Sequence, residues 1–144
     1  MPRERRFVAG PPDPRDRWRR RVLAAQGTYY LAIGLWPLVH FDSFADVVAL
    51  QVIPFQAQAL GAVLAVVGGT LLEAVRRGPP APYPTALGIG VAGAIALVSL
   101  LWLPRQPAPS GLWFDAAIEV AIGFALVVLY PRSQSDRSAV QRKR

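Results

Sequence analysis

Four apolar stretches, each close to the length that crosses a bilayer, alternate along this chain with short polar segments. They run from about Val22 to Val39, Phe55 to Val75, Pro84 to Leu103 and Leu112 to Tyr130. At about 1.5 Å per residue, spans of roughly 18 to 21 residues measure about 27 to 32 Å, the thickness of the hydrocarbon layer. The pattern therefore predicts an all-α fold, a four-helix transmembrane bundle. Aromatic residues mark its two ends, Trp18, Tyr83 and Tyr130 on one side and Trp36, Trp102 and Trp113 on the other, as interfacial anchoring requires. Pro84 suits a first helical turn, Pro37 and Pro104 close spans one and three, and the segment Gly78 to Pro82 reads as a stiff connector. Between spans one and two, Ser43 and Asp46 stand at capping-box spacing, with Phe44, Val47 and Val48 at helical intervals. This favours a short interfacial helix on the outer surface, with an irregular loop as the alternative.

Charge orients the bundle. Fifteen of the sixteen Lys and Arg residues fall in residues 1–21, in Arg76 and Arg77, or in the tail from Arg132 to Arg144; the other connections hold Arg105 alone. By the positive-inside rule both termini are cytoplasmic, in a multi-pass protein of the cell membrane. The expected organisation is a disordered basic cytoplasmic arm over residues 1–21, a transmembrane domain over 22–130 and a basic cytoplasmic tail over 131–144. Four prolines in the first sixteen residues support the disordered arm. A secretory signal is not expected, because the first apolar block begins after residue 21 and ends in Trp36-Pro37 with no small-residue cleavage site. The net charge of +7 is accounted for by basic flanks against anionic lipid, with Arg17, Arg19, Arg20 and Arg21 as headgroup contacts and no nucleic-acid partner.

The chemistry available is narrow. A chain without cysteine has no disulfide, thiolate metal site or cysteine nucleophile, and a single histidine, His40, cannot build a histidine-rich metal site. No phosphate loop, metalloprotease helix or nucleophile elbow is present, so no cofactor, metal or catalytic residue is assigned. Helix association in lipid depends on close packing, which makes rows of small residues informative. Span two carries Ala57, Gly61, Ala65 and Gly69; span three carries Ala86, Gly90 and Ala94 with Gly88, Ala92 and Ala96 beside them; span four carries Ala117, Ala121 and Ala125. Packing is assigned to Gly61, Ala65, Gly69, Gly90 and Ala94.

Polar groups inside the spans are the best pointers to function, since a charge at the bilayer centre costs about 2.5 to 3.5 kcal/mol on insertion scales. Asp115 and Glu119 lie one turn apart on span four, and Gln26, Tyr30 and Gly34 form a polar row on span one. By helical rise Glu119 and Tyr30 lie at matching depths, which predicts a hydrogen bond between them, under a wetter vestibule of His40, Asp42 and Asp115. Such a bond serves either to pin helices or to carry a proton or ligand. With the acids facing inward, the Ala117, Ala121, Ala125 row faces a second subunit, pointing to a homo-oligomer or a membrane-protein partner. Glu73, ahead of Arg76 and Arg77, has the spacing of surface ion pairs.

The segments Gln26 to Tyr30, Gly34 to His40 and Ser43-Phe44, together with Trp113 to Glu119, resemble a group of small bacterial four-helix membrane proteins that have no established activity. The resemblance covers about residues 22 to 130 and singles out Tyr30 and Glu119. Two features of that group differ here: its Lys-containing stretch becomes Val48 to Phe55 without Lys, and its acidic residue on span three becomes Ser99. The sequence thus favours a non-enzymatic inner-membrane protein that binds a small apolar ligand or a membrane partner around a buried carboxyl. The alternatives are a proton-linked transport subunit and a membrane enzyme acting on a lipid-like substrate through Asp115 and Glu119.

Overall fold

The computed structural model describes residues 14–48, 53–78, 82–102 and 110–130. Within them the chain forms five helices: α1 (Pro14–Val39), α2 (Phe41–Val48), α3 (Pro54–Arg77), α4 (Pro82–Trp102) and α5 (Ser110–Val128). Among the described residues α1, α3 and α4 are long and apolar enough to cross a membrane. What the helices bury and expose agrees with lipid as the solvent. Gln26, Thr85, Ser99 and Glu119 are buried, whereas Phe55, Val66, Phe124 and Trp113 stand on the outside. This is the reverse of a water-soluble bundle, and it brings hydrogen-bonding groups together where hydrocarbon cannot satisfy them.

The helix limits differ from expectation in ways with local causes. α1 begins at Pro14, so residues 14–21 are helical and do not belong to a disordered arm. Pro14 fits the first turn, where its missing N–H costs nothing, and Asp16 in that turn pairs with Arg19 at 3.0 Å. The earlier start also places Arg19 on the inward face of Leu23 and Gln26. It is buried, while Arg17, Arg20 and Arg21 remain exposed, so the proposed headgroup set loses Arg19. Arg21 lies over the Trp18 ring at 5.0 Å. At the other end α1 stops at Val39, the expected limit of span one, with Pro37 inside its last turn. The Pro37 carbonyl accepts a hydrogen bond from Gln58 Nε2 at 3.4 Å. α3 starts with Pro54 at its first turn and α4 starts at Pro82; Gly78 closes α3 at a φ of 146°, a conformation open to glycine. Residues 1–13, the remaining connectors with Pro104, and the tail from residue 131 lie outside the described residues.

The predicted helix after span one is present as α2, but its cap is different. Ser43 is inside the helix, and His40 precedes it: His40 Nδ1 accepts from the Ser43 N–H at 3.3 Å, as an N-cap side chain does. Ser43 Oγ donates to the His40 carbonyl and accepts from Trp36 Nε1 at 2.8 Å, and Trp36 meets Phe44 edge to face. These contacts fold α2 back over the end of α1.

α1 is the common partner of the long helices. Against α3 it runs antiparallel at glycine contacts: a Cβ on Gly34 would stand 2.5 Å from the Gly61 carbonyl and the Ala65 nitrogen, and one on Gly68 would stand 2.6 Å from the Gly27 carbonyl. α4 and α5 form an antiparallel hairpin in which Gly88 faces Leu126 and Gly123 faces Ala92. Gly61 and Ala65 thus lie at the close approach of α1 and α3, whereas Gly69, Gly90 and Ala94 face away from the neighbouring helices. A Cβ on Gly69 or Gly90 would meet nothing within 4 Å, and Ala94 is exposed. The inward row of α4 is instead Thr85, Gly88, Ala92, Ala96 and Ser99. In lipid the row that carries polar side chains turns inward, because its neighbours supply hydrogen bonds that acyl chains lack.

Candidate functional site

α1, α4 and α5 meet in a polar layer halfway along the bundle. The i, i+4 spacing of Gln26 and Tyr30 puts both on the buried face of α1, where Gln26 Nε2 donates to Tyr30 Oη at 3.0 Å and to the Gly88 carbonyl at 2.9 Å. Gly88 permits this approach, since a Cβ there would stand 2.5 Å from Gln26 Oε1. Tyr30 Oη donates to Glu119 Oε2 at 2.7 Å, which joins α1 to α5 through the pair predicted from matching depth. Glu119 is 1% exposed. Its Oε1 and Gln26 Oε1 are buried without a hydrogen-bond partner.

A second pair lies one turn nearer to α2. Tyr29 Oη donates to Asp115 Oδ1 at 2.6 Å, and Ser99 Oγ reaches Asp115 Oδ2 at 3.5 Å. Consecutive tyrosines of α1 thus engage carboxyl groups four residues apart on α5, and their rings lie 5.9 Å apart, tilted by 45°. Asp115 is half-buried, in contrast to Glu119. On the other side of the polar layer, Leu23, Leu71 and Leu126 are each fully buried.

Of the residues singled out from sequence, Gln26, Tyr30, Asp115 and Glu119 come together. His40 and Asp42 are exposed and make no described bond to Asp115; His40 is engaged with Ser43, so the vestibule does not assemble around them. Sequence reasoning missed Tyr29 and gave Ser99 no place in the site. The signal for Tyr29 was available: two carboxyls one turn apart need two partners, and Tyr29 adjoins Tyr30 on a neighbouring face of α1. Glu73 binds Arg76 and Arg77 at 2.8 and 2.7 Å on the surface, apart from this layer. Among the described residues no group of three His, Cys, Asp or Glu has the arrangement of a metal site.

Open space lies elsewhere. One apolar groove of about 450 Å³ runs along α4 and α5 beside Leu100, Trp113, Ala117, Ala121 and Phe124, and another depression borders Glu73 and Arg77 on α3. Neither is lined by Glu119 or Tyr30. Comparison with protein-family models, with curated proteins and with solved structures gave no match.

Proposed function

We propose that this chain is a four-span, non-enzymatic protein of the cell membrane that takes up and releases a proton at Glu119 as the proton-linked subunit of a membrane transport system. In this reading α1, α3, α4 and α5 cross the bilayer, both termini are cytoplasmic, and α2 lies on the outer surface with its apolar side in the interface. The basic flanks at Arg17, Arg20, Arg21, Arg76 and Arg77 support that orientation, and the resemblance of the Tyr30 and Glu119 segments to small four-helix membrane proteins supports the four-span architecture alone. One observation carries the functional part: a carboxyl sealed among three helices keeps one oxygen without a partner, beside a second tyrosine and carboxyl pair. A carboxyl kept only to pin helices would gain by bonding both oxygens; one that exchanges a proton needs a free oxygen to receive it.

Infrared spectroscopy of the protein in lipid vesicles tests this reading. A carbonyl band of protonated Glu119, identified by its loss in Glu119→Gln, is expected to appear and disappear as pH is varied between about 4 and 10. A band that never changes over that range overturns the proton reading.

A second reading keeps the ligand or partner but moves it to the groove beside Ala117 and Ala121, which is apolar, open and lined by small residues that allow close approach. Native mass spectrometry from mild detergent is then expected to retain a small apolar molecule or a second chain, lost on Ala121→Phe and unaffected by Glu119→Gln. Empty, monomeric spectra for all three proteins count against it.

A further inference from the structure

We propose that Asp115, held in place by Tyr29, is the relay through which a proton reaches Glu119, along a route that opens to the outer face alone and is closed toward the cytoplasm by Leu23, Leu71 and Leu126. The inference rests on the proton-binding reading of Glu119 and on the topology given above; it adds the direction of access and the residues that set it.

Three observations carry it. The first is the order of burial along α5: Asp115 is half-buried and lies nearer the α2 end, whereas Glu119, one turn deeper, is 1% exposed, so of the two carboxyls only the first has open surface. The second is the pairing of adjacent tyrosines with these carboxyls, at 2.6 and 2.7 Å. It sets two tyrosine–carboxyl pairs in neighbouring layers across α1 and α5, with Ser99 of α4 beside Asp115. The third is what lies beyond Glu119. Gln26 spends its amide hydrogens on Tyr30 and on the Gly88 carbonyl, and an amide does not readily pass a proton on. Below it Leu23, Leu71 and Leu126 of α1, α3 and α5 are fully buried hydrocarbon; the Thr85 hydroxyl of α4, one turn from Gly88, is buried with them, and the buried Arg19, whose positive charge opposes entry of a proton, lies one turn further toward the basic end.

The charge balance is simple. One proton from the outer water neutralises the Asp115 carboxylate; the Asp115 O–H bond then breaks as an O–H bond forms at Glu119 Oε1, one turn away on α5, so Asp115 is a carboxylate again and both tyrosine hydroxyls keep their protons. The titratable groups facing Glu119 are Tyr30 and Tyr29 from α1 and Asp115 from its own helix. Those described on α3 and α4, Glu73, Arg76, Arg77 and Tyr83, cluster at the far, basic end, and Asp42 and Asp46 of α2 are exposed. Tyr29 is therefore a positioning residue: it holds Asp115 against α1, beside the mouth of the route.

The test follows the Glu119 infrared band in vesicles of known protein orientation, with pH stepped on one side while the other is buffered. Steps on the outer side are expected to move the band, and steps on the cytoplasmic side to leave it unchanged over the same interval. Asp115→Asn and Tyr29→Phe should slow the outer response by about tenfold or more, while the full band is still recovered when the outer pH is carried across the whole range of the titration. A simple structural defect would instead reduce the amplitude. Leu126→Ala should admit a response from the cytoplasmic side. A wild-type band that follows cytoplasmic steps as fast as outer ones overturns the proposal, as does an unaltered rate in both Asp115→Asn and Tyr29→Phe. A band insensitive to either side overturns the proton reading of Glu119 itself, a result distinct from a wrong route.

Discussion

The hydroxyl of Tyr30 bears on two neighbours at once, accepting from Gln26 and donating to Glu119. Tyr30→Phe removes both bonds and leaves the buried carboxyl with neither oxygen paired, whereas Tyr29→Phe strips one bond from a half-buried Asp115 that water can compensate. Unfolding in mixed detergent should therefore show Tyr30→Phe destabilised by about 1 to 3 kcal/mol and Tyr29→Phe by less. A double-mutant cycle of Tyr30→Phe with Glu119→Gln should return a coupling of about 0.6 to 1.7 kcal/mol, the range of interhelical hydrogen bonds in membranes. Zero coupling would mean that the bond does not form in lipid. Depth alone revealed this pair in the sequence, because helical rise converts residue number into distance from the interface. Tyr29 and Ser99 were harder to see: their partner is decided by the rotation of each helix about its axis, which a single polar row does not fix.

Small residues act at the scale of whole helices, and only some of them touch anything. Gly34→Ala puts a methyl group 2.5 Å from backbone atoms of α3, so α1 and α3 must separate. The expected cost is about 1 to 3 kcal/mol. Gly90→Ala meets nothing within 4 Å and should be neutral within about 0.5 kcal/mol, or slightly stabilising through helix propensity. Thermal unfolding of the two variants side by side checks this, and equal losses would contradict the helix rotation of α4. Helix number and approximate limits were legible because apolar length and proline placement are properties of the sequence itself. The inward row of α4 was not read correctly, since Gly90 and Ala94 form as regular a series as Gly88 and Ala92. Thr85 and Ser99 on the second series were the distinguishing sign. The cap of α2 was misplaced because Ser43 has the usual capping chemistry, while the imidazole of His40 reaches the same N–H from three residues upstream.

For the whole molecule, the orientation inferred from basic residues is open to a direct experiment in a chain that has no cysteine to remove. A single cysteine in place of Asp42 should react with a membrane-impermeant thiol reagent added to intact cells, and one in place of Ser138 only after the membrane is opened. The opposite pattern would invert the bundle and with it the side from which Glu119 is reached. The pairing of the helices has a consequence for how the chain is made. α3 packs on α1, and α4 packs on α5, so the two halves are separate hairpins in order of synthesis. The first hairpin leaves the ribosome already bearing Gln26, Tyr29 and Tyr30, before either acid of α5 has been translated. On the proposed four-span topology, Asp115 and Glu119 then meet hydroxyl partners that the first hairpin has already brought into place, a prepared berth for the two carboxyls.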